Sequence, residues 1–251
     1  MILSDLHTHT AFCDGANSPE EMVLQAIAQG MERIGFSGHS YLPFDEENSM
    51  SPEVTAEYIV EINRLKEKYG DRIEILCGTE RDCFSDINNS DYDFVIGSVH
   101  FVDCEGKKLV VDDGAERQKK AVEEYFNGDF YQFTEAYYYT LERVVELTDC
   151  DIIGHFDLVS KYNDREHFFD ENNGEYIKQW KHAVDVLINT GKLFEINTGA
   201  VFSGRRSVPY PAPPIIEYIL SRGGRFILSS DSHSTESLCY KFDEFEKYVI
   251  R

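Results

Sequence analysis

Ser4–Gly15 reads SDLHTHTAFCDG, a short apolar lead (Ile2, Leu3, Leu6) running straight into two histidines one residue apart. Residues two apart on a β-strand point to the same side of the sheet, so His7 and His9 aim at one spot. Imidazole is the commonest protein ligand for zinc and suits other first-row metals, and two of them converging at a strand end form half of a metal site. Asp14 follows on a loop with room to fold back to the same place. An isolated H-x-H is more often a pair of half-exposed sheet residues; the rest of the chain decides otherwise.

The same grammar, an apolar run ending in a polar cluster, recurs along the chain. Strands are predicted at Ile2–Leu6, Ile34–Ser37, Ile73–Cys77, Phe94–Ser98, Asp151–Gly154, Leu193–Ile196 and Phe226–Ser229. They run into His7 and His9, then Gly38-His39-Ser40, Gly78-Thr79-Glu80, Val99-His100, His155-Phe156-Asp157, Asn197-Thr198 and Ser230-Asp231-Ser232-His233. Helical patterns separate them, the signature of a parallel sheet built from βαβ units. In barrels of parallel strands the reactive side chains collect at the carboxyl ends of the strands. Six of the eight histidines stand at those ends; His167, in an acidic loop, and His182, inside a helix, do not.

The helices carry start and stop signals. Ser18, Pro19 and Glu21 form an N-cap, a first-turn proline and a capping-box partner for a helix ended by Gly30. Ser51-Pro52 opens a second, closed by Gly70, and Asp129 caps a third running through Val145. Asn172 or Asn173 starts a fourth, closed by Gly191, and Pro213-Pro214 a fifth that runs to Arg222. Residues 101–126 break the rhythm after the fourth strand: FVDCEGKKLVV predicts a β-hairpin turning at Glu105-Gly106, followed by a charged helix, an insertion placed to act as a lid. The expectation is one α/β domain over 1–251.

Composition narrows the function. A chain of 251 residues with 42% hydrophobic residues buries a full core, and a formal charge of −22, spread along the chain, repels polyanions. Nucleic acid is therefore not an expected partner, nor is a membrane, since no stretch of 18 apolar residues exists and the N-terminus lacks a basic leader. The six cysteines (Cys13, Cys77, Cys83, Cys104, Cys150, Cys239) form no C-x-x-C pair and read as reduced thiols of a cytoplasmic protein. No obligate protein partner is evident.

Nine candidate ligands result: His7, His9, Asp14, His39, Glu80, His100, His155, Asp231 and His233. A catalytic zinc uses three protein ligands, so nine imply two or three divalent ions, with Glu80 and Asp231 as shared carboxylates. A sulfur-free donor set of this kind suits manganese, zinc or iron.

The series DLHTHT, GHS, GTE, SVH, GHFDL and SDSH, in this order over the whole chain, resembles the polymerase and histidinol phosphatase (PHP) family, and FCDGANSPEEM is similar to its histidinol-phosphate phosphatase branch. The resemblance implies a distorted (β/α)7 barrel of mostly parallel strands with a trinuclear centre: His7, His9, Glu80 and Asp231 on one ion, Glu80, His100 and His155 on a second, and Asp14, His39 and His233 on a third. Gly38 stands where many members carry an acidic residue, and Ser160 lies in a stretch where relatives often carry a basic one.

Such a centre lowers the pKa of bound water and clamps the oxygens of an in-line phosphoryl displacement. The expected reaction is hydrolysis of a phosphate monoester, histidinol phosphate by the branch implied, through a metal-bridging hydroxide and without a covalent intermediate. Glu80, Asp231 and His233 are the expected catalytic residues. Arg205 and Arg206 in the Gly-containing loop after the sixth strand, with Lys161 after the fifth, are expected to bind phosphate. Tyr41, Phe44, Asp45, Phe101 and Asp103 are candidate neighbours for an ammonium and an imidazole. Other readings are a PHP phosphoesterase acting on another small ester or nucleotide, a non-catalytic PHP module, or an amidohydrolase-type C–N hydrolase, which usually relies on a mid-barrel lysine in place of Glu80.

Overall fold

The computed structural model describes residues 3–249, so the start of the first predicted strand, Ile2, lies outside the described residues. In chain order the strands are β1 (Ser4–Asp5), β2 (Arg33–Phe36), β3 (Glu74–Asp82), β4 (Phe94–Ser98), β5 (Phe101–Cys104), β6 (Lys107–Val110), β7 (Ile152–Ile153), β8 (Leu193–Asn197) and β9 (Phe226–Ser229). All seven strands of the main sheet pair in parallel, in the order β1-β2-β3-β4-β7-β8-β9. The two outer strands meet just beyond their ends. The His9 N–H donates to the Ser232 carbonyl at 2.7 Å, and the Ser232 N–H to the His7 carbonyl at 3.0 Å, closing the sheet toward a barrel.

Alternation along the strands sorts the side chains by period two. On the inward face, Phe94, Ile96 and Ile152 pack with Leu6, Leu76, Leu193 and Ile227 and plug one end of the barrel. The Phe94 ring lies against β3: a Cβ at Gly78 would come within 2.4 Å of it, so only glycine fits there. On the outward face, Ile34, Phe36 and Cys77 pack under the helices that contribute Met22, Val23, Tyr58 and Ile62. Val95, Ile153, Phe194 and Ile196 pack with Tyr137, Trp180, Val184 and Ile216.

The helix signals act as read. Ser18 caps Pro19–Ala28 in a full capping box, Ser51 caps Pro52–Tyr69, Asn173 caps Gly174–Leu187, and Pro213 opens Pro213–Ser221. The helix predicted from Asp129 through Val145 is two. Asp129 caps Phe130–Leu141, an i→i−3 bond from the Arg143 N–H to the Thr140 carbonyl turns the chain, and Val144–Thr148 follows. β5 and β6 form the expected hairpin, with Glu105 and Gly106 both at positive φ (53° and 84°), as a two-residue turn of the favoured twist requires. The insertion is anchored at its far end: the Lys161 ammonium sits 2.7 Å from Asp112, Gly114 N–H donates to the Tyr162 hydroxyl at 2.6 Å, and the Gln118 amide donates to the carbonyls of Val111 and Val159.

Candidate metal centre

The carboxyl ends of the strands converge on one cluster. Glu80 lies at its centre, 1% exposed and within β3, because that strand runs five residues further than predicted, to Asp82. One Glu80 oxygen, Oε1, faces His155 Nε2 at 2.8 Å and His100 Nε2 at 3.2 Å. The other, Oε2, faces His7 Nε2 at 3.3 Å, His9 Nε2 at 3.5 Å and His39 Nδ1 at 3.0 Å. Asp231 Oδ1 stands 3.5 Å from His7 Nε2 and 3.2 Å from His9 Nε2. Asp14 Oδ2 stands 3.0 Å from His233 Nε2 and 3.6 Å from His39 Nε2. All nine predicted ligands are thus drawn into one group, in which five histidines face Glu80, and Asp231, Asp14 and His233 join through His7, His9 and His39.

Local structure explains the convergence. The loop bearing Asp14 folds back so closely that a Cβ on Gly15 would approach the backbone of Thr10 to 2.5 Å. Asp231 adopts φ of 52°, a left-handed conformation that costs energy for a non-glycine residue and is found where a side chain must be aimed. Asn197 Nδ2 donates to its Oδ2 at 3.1 Å, and Gly199 leaves it room, since a Cβ there would lie 2.9 Å from that of Asp231.

The donor set fits divalent cations. Two ligands about 2.0–2.1 Å from a tetrahedral ion lie roughly 3.4 Å apart, and the imidazole–carboxylate separations on Asp231 are 3.2 and 3.5 Å. His7 Nε2 and His9 Nε2 are buried without a hydrogen-bond partner, as expected of nitrogens kept for an ion. Two of the far nitrogens are spoken for: His7 Nδ1–H donates to Glu195 at 2.9 Å, and His233 Nδ1–H to the Asp231 carbonyl at 2.9 Å, leaving each Nε2 lone pair turned inward, whereas His155 Nδ1 is buried without a partner among the described residues.

Burial opposes charge throughout the cluster, and mutual attraction overrides it at most positions. Burial pushes the Glu80 carboxyl up, but His7, His100 and His39 hold it well below the usual range. Burial pushes His100 down, but Glu80, Asp82 and Asp112 together outweigh it and push it up to about 10. His9 goes the other way, pushed down to about 4 by burial and by the neighbouring His233 and His39 rings.

Glu195 and Asp82, both fully or nearly buried, belong to the site but were not singled out from sequence. Glu195 accepts hydrogen bonds from His7, the His155 backbone, Asn197 and Ser229. Its signal was a lone acid at LFEIN, two residues after Leu193 and hence on the inward face. Asp82 accepts the His100 N–H at 2.9 Å.

Two adjoining cavities open on the cluster. The inner, about 410 Å³, is lined by His155, Asp231, His233, Tyr210 and two cations, Lys161 and Arg205. The outer, about 790 Å³, lies under the insertion and carries Phe44, Asp45, Phe101, Asp112 and Asp113, with Lys161 between the two. Tyr41 is not among the residues lining it, and the Asp103 carboxylate is engaged by Lys108. Arg206, predicted to bind phosphate, instead turns into the protein: its guanidinium is 1% exposed, 3.1 Å from the buried Asp157 and near Glu171 and Asp164. Adjacent arginines in a turning loop point to opposite sides, and only Arg205 lines the cavity.

A parallel barrel whose strand ends gather imidazoles and carboxylates around a shared glutamate defines a metal-binding hydrolase-type centre. The chain belongs to the PHP domain family, whose model matches residues 5–199. It is 30% identical to a histidinol-phosphatase of Lactococcus lactis over 244 residues, covering 91% of this chain and 83% of the relative. Among solved structures, one from Listeria monocytogenes, provisionally named a histidinol phosphatase, superposes with a TM-score of 0.85 at 22% identity, over 96% of this chain and 99% of that one. A Lactococcus lactis histidinol phosphate phosphatase, crystallised with zinc, L-histidinol and phosphate, superposes with a TM-score of 0.73 at 24% identity, over 98% of this chain and 94% of that one. These likenesses agree with the barrel described above.

Proposed function

We propose that this chain is a metal-dependent phosphomonoesterase that converts L-histidinol phosphate to L-histidinol and phosphate, a step of amino-acid biosynthesis, in the cytoplasm. The observation that carries the reading is the grouping of nine nitrogen and oxygen ligands, Glu80 at their centre, beside two cations, in a chain 30% identical to a histidinol-phosphatase. His7, His9, Glu80 and Asp231 would hold one divalent ion, Glu80, His100 and His155 a second, and Asp14, His39 and His233 a third; manganese, zinc and iron all suit these donors. Bound ions supply positive charge that polarises a phosphoryl oxygen and acidifies water.

The chain's own residues do the rest. Lys161, kept charged by Asp112 at 2.7 Å, and Arg205 offer cationic donors to a phosphate at the cluster. Asp231 and His233, 21% and 41% exposed, stand where the cluster opens to the inner cavity and are the nearest candidates to face a leaving oxygen. Phe44, Phe101 and Asp45 supply aromatic and anionic surface for an imidazole and an ammonium, while Asp112 and Asp113 are engaged by Lys161 and Arg117. Closure of the sheet between β1 and β9 supports one domain over 1–251. No helix among the described residues is long and apolar enough to cross a membrane.

The test is phosphate release from L-histidinol phosphate, beside sugar phosphates, nucleotides and phosphoserine, with bound metals quantified. Release from none of these after manganese or zinc is restored would overturn the proposal. Preference for another ester would leave the chemistry and remove the biosynthetic assignment.

A further inference from the structure

Tyr210 has no part in the ligand set, yet it is one of the largest fully buried side chains of the protein, 2% exposed, and it lines the inner cavity with Lys161, Arg205 and Asp231. Its hydroxyl is buried with no hydrogen-bond partner among the described residues. A buried phenol ordinarily finds an acceptor, because leaving one unpaired is costly. Here Asp112, Asp157 and Asp231 are near enough to act on it, and the hydroxyl bonds to none of them.

The residue is also held from three directions. Its backbone pairs with Asn197 in both senses, N–H to carbonyl at 2.9 Å and 2.6 Å, tying it to the strand that carries Glu195. The Arg206 guanidinium lies 5.1 Å from the ring centroid, and the His155 ring stands edge-on at 6.3 Å. Arg206, itself locked by Asp157, thus serves the site indirectly by fixing the phenol. An aromatic ring so constrained with its one donor free at a cation-lined cavity is arranged for an acceptor that arrives from outside.

Resting on the reading that this cavity takes a phosphate ester, we propose that Tyr210 is a further catalytic residue, its O–H donating a hydrogen bond to a non-bridging phosphoryl oxygen. Lys161 and Arg205 supply charge; Tyr210 supplies a neutral, directional donor. No proton leaves the phenol, and the ester P–O bond is cleaved by water as in the parent reaction.

The experiment is Tyr210→Phe, which keeps the ring and its contact with Arg206. Inorganic phosphate binding to the zinc-loaded protein is measured by calorimetry, turnover with L-histidinol phosphate and p-nitrophenyl phosphate, and thermal unfolding on metal-free protein. The expected result is phosphate binding weaker by roughly 10-fold, a similar fall in kcat/KM on both esters, unchanged zinc content, and a metal-free Tm no lower than that of the parent. Unchanged phosphate binding overturns the proposal, as does a lowered Tm of the metal-free variant, which would show the hydroxyl bonded within the protein. A loss confined to the alkyl ester also overturns it, by placing the donor at the leaving oxygen. Should the parent protein hydrolyse neither ester yet bind phosphate more tightly than the variant, the proposed function fails and with it the catalytic role, leaving Tyr210 as a phosphate-binding residue only.

Discussion

Replacing Glu195 by glutamine removes one oxygen and adds one N–H pair at a site where four donors converge. Oε2 accepts from His7 Nδ1–H at 2.9 Å and from the Ser229 hydroxyl; Oε1 accepts from the His155 backbone N–H and from Asn197 Nδ2 at 3.0 Å. With the amide nitrogen on the Oε1 side, two N–H groups confront it, one of them the fixed backbone of His155. With the nitrogen on the Oε2 side, Ser229 rotates to accept, but His7 must accept at Nδ1 and carry its proton on Nε2, the nitrogen facing Glu80 and Asp231. The first arrangement costs about 1–3 kcal/mol for an unpaired buried donor. The second blocks a ligand, and loss of such an orienting partner typically weakens metal binding roughly 10–100-fold. The protein is expected to choose between these costs, so Glu195→Gln lowers either metal-free stability or zinc affinity by these amounts. Urea unfolding of metal-free protein and zinc titration against a competing chelator read the two separately. A variant with parental stability and parental zinc affinity would refute the reasoning.

Three further outcomes are expected. His100 in the metal-free protein keeps its proton up to about pH 10, above its ordinary 6.5, so an ion binding near neutral pH displaces protons and its affinity rises with pH over that window; calorimetric heats that do not vary with buffer ionisation enthalpy would contradict this. Arg206→Ala strands the fully buried Asp157 and is expected to cost about 3–5 kcal/mol in urea unfolding, whereas Arg205→Ala changes stability by no more than about 0.5 kcal/mol and weakens phosphate binding; the reverse pattern would reject the assignment of the two side chains. All six cysteines are free, and burial pushes the thiols of Cys13, Cys77, Cys83, Cys150 and Cys239 up, Cys77 to about 12, so a thiol reagent applied to native protein is expected to label Cys104 first; rapid labelling of Cys77 would count against the packing described.

Much of this architecture was legible because a parallel barrel writes its active face into the chain at regular intervals. Each apolar run is short, so the residues immediately after it must emerge at one rim, and histidines there have nowhere else to go. What escaped depends on direction within an element. Glu195 sits inside an apolar strand, and its inward aim follows only once Leu193 is known to face the barrel interior. Arg205 and Arg206 are equivalent in sequence; what separates them is Asp157, distant in the chain, which draws the Arg206 guanidinium inward. Tyr210 gave no signal, since an unbonded hydroxyl is a property of its surroundings. The break at Arg143 likewise arises from one tightened turn that the helical pattern does not encode.

The junction of β1 with β9 has a consequence for biogenesis. Asp5 receives hydrogen bonds from Ser230 across a separation of 225 residues, and Asp14 meets His233 across 219. During vectorial synthesis the first histidines emerge long before the aspartate that faces them. A ribosome-bound chain lacking residues 226–233 therefore exposes imidazoles without their partners. Two of the three proposed ligand sets draw on Asp231 or His233, so a chain that stops before its last strand cannot assemble the full centre.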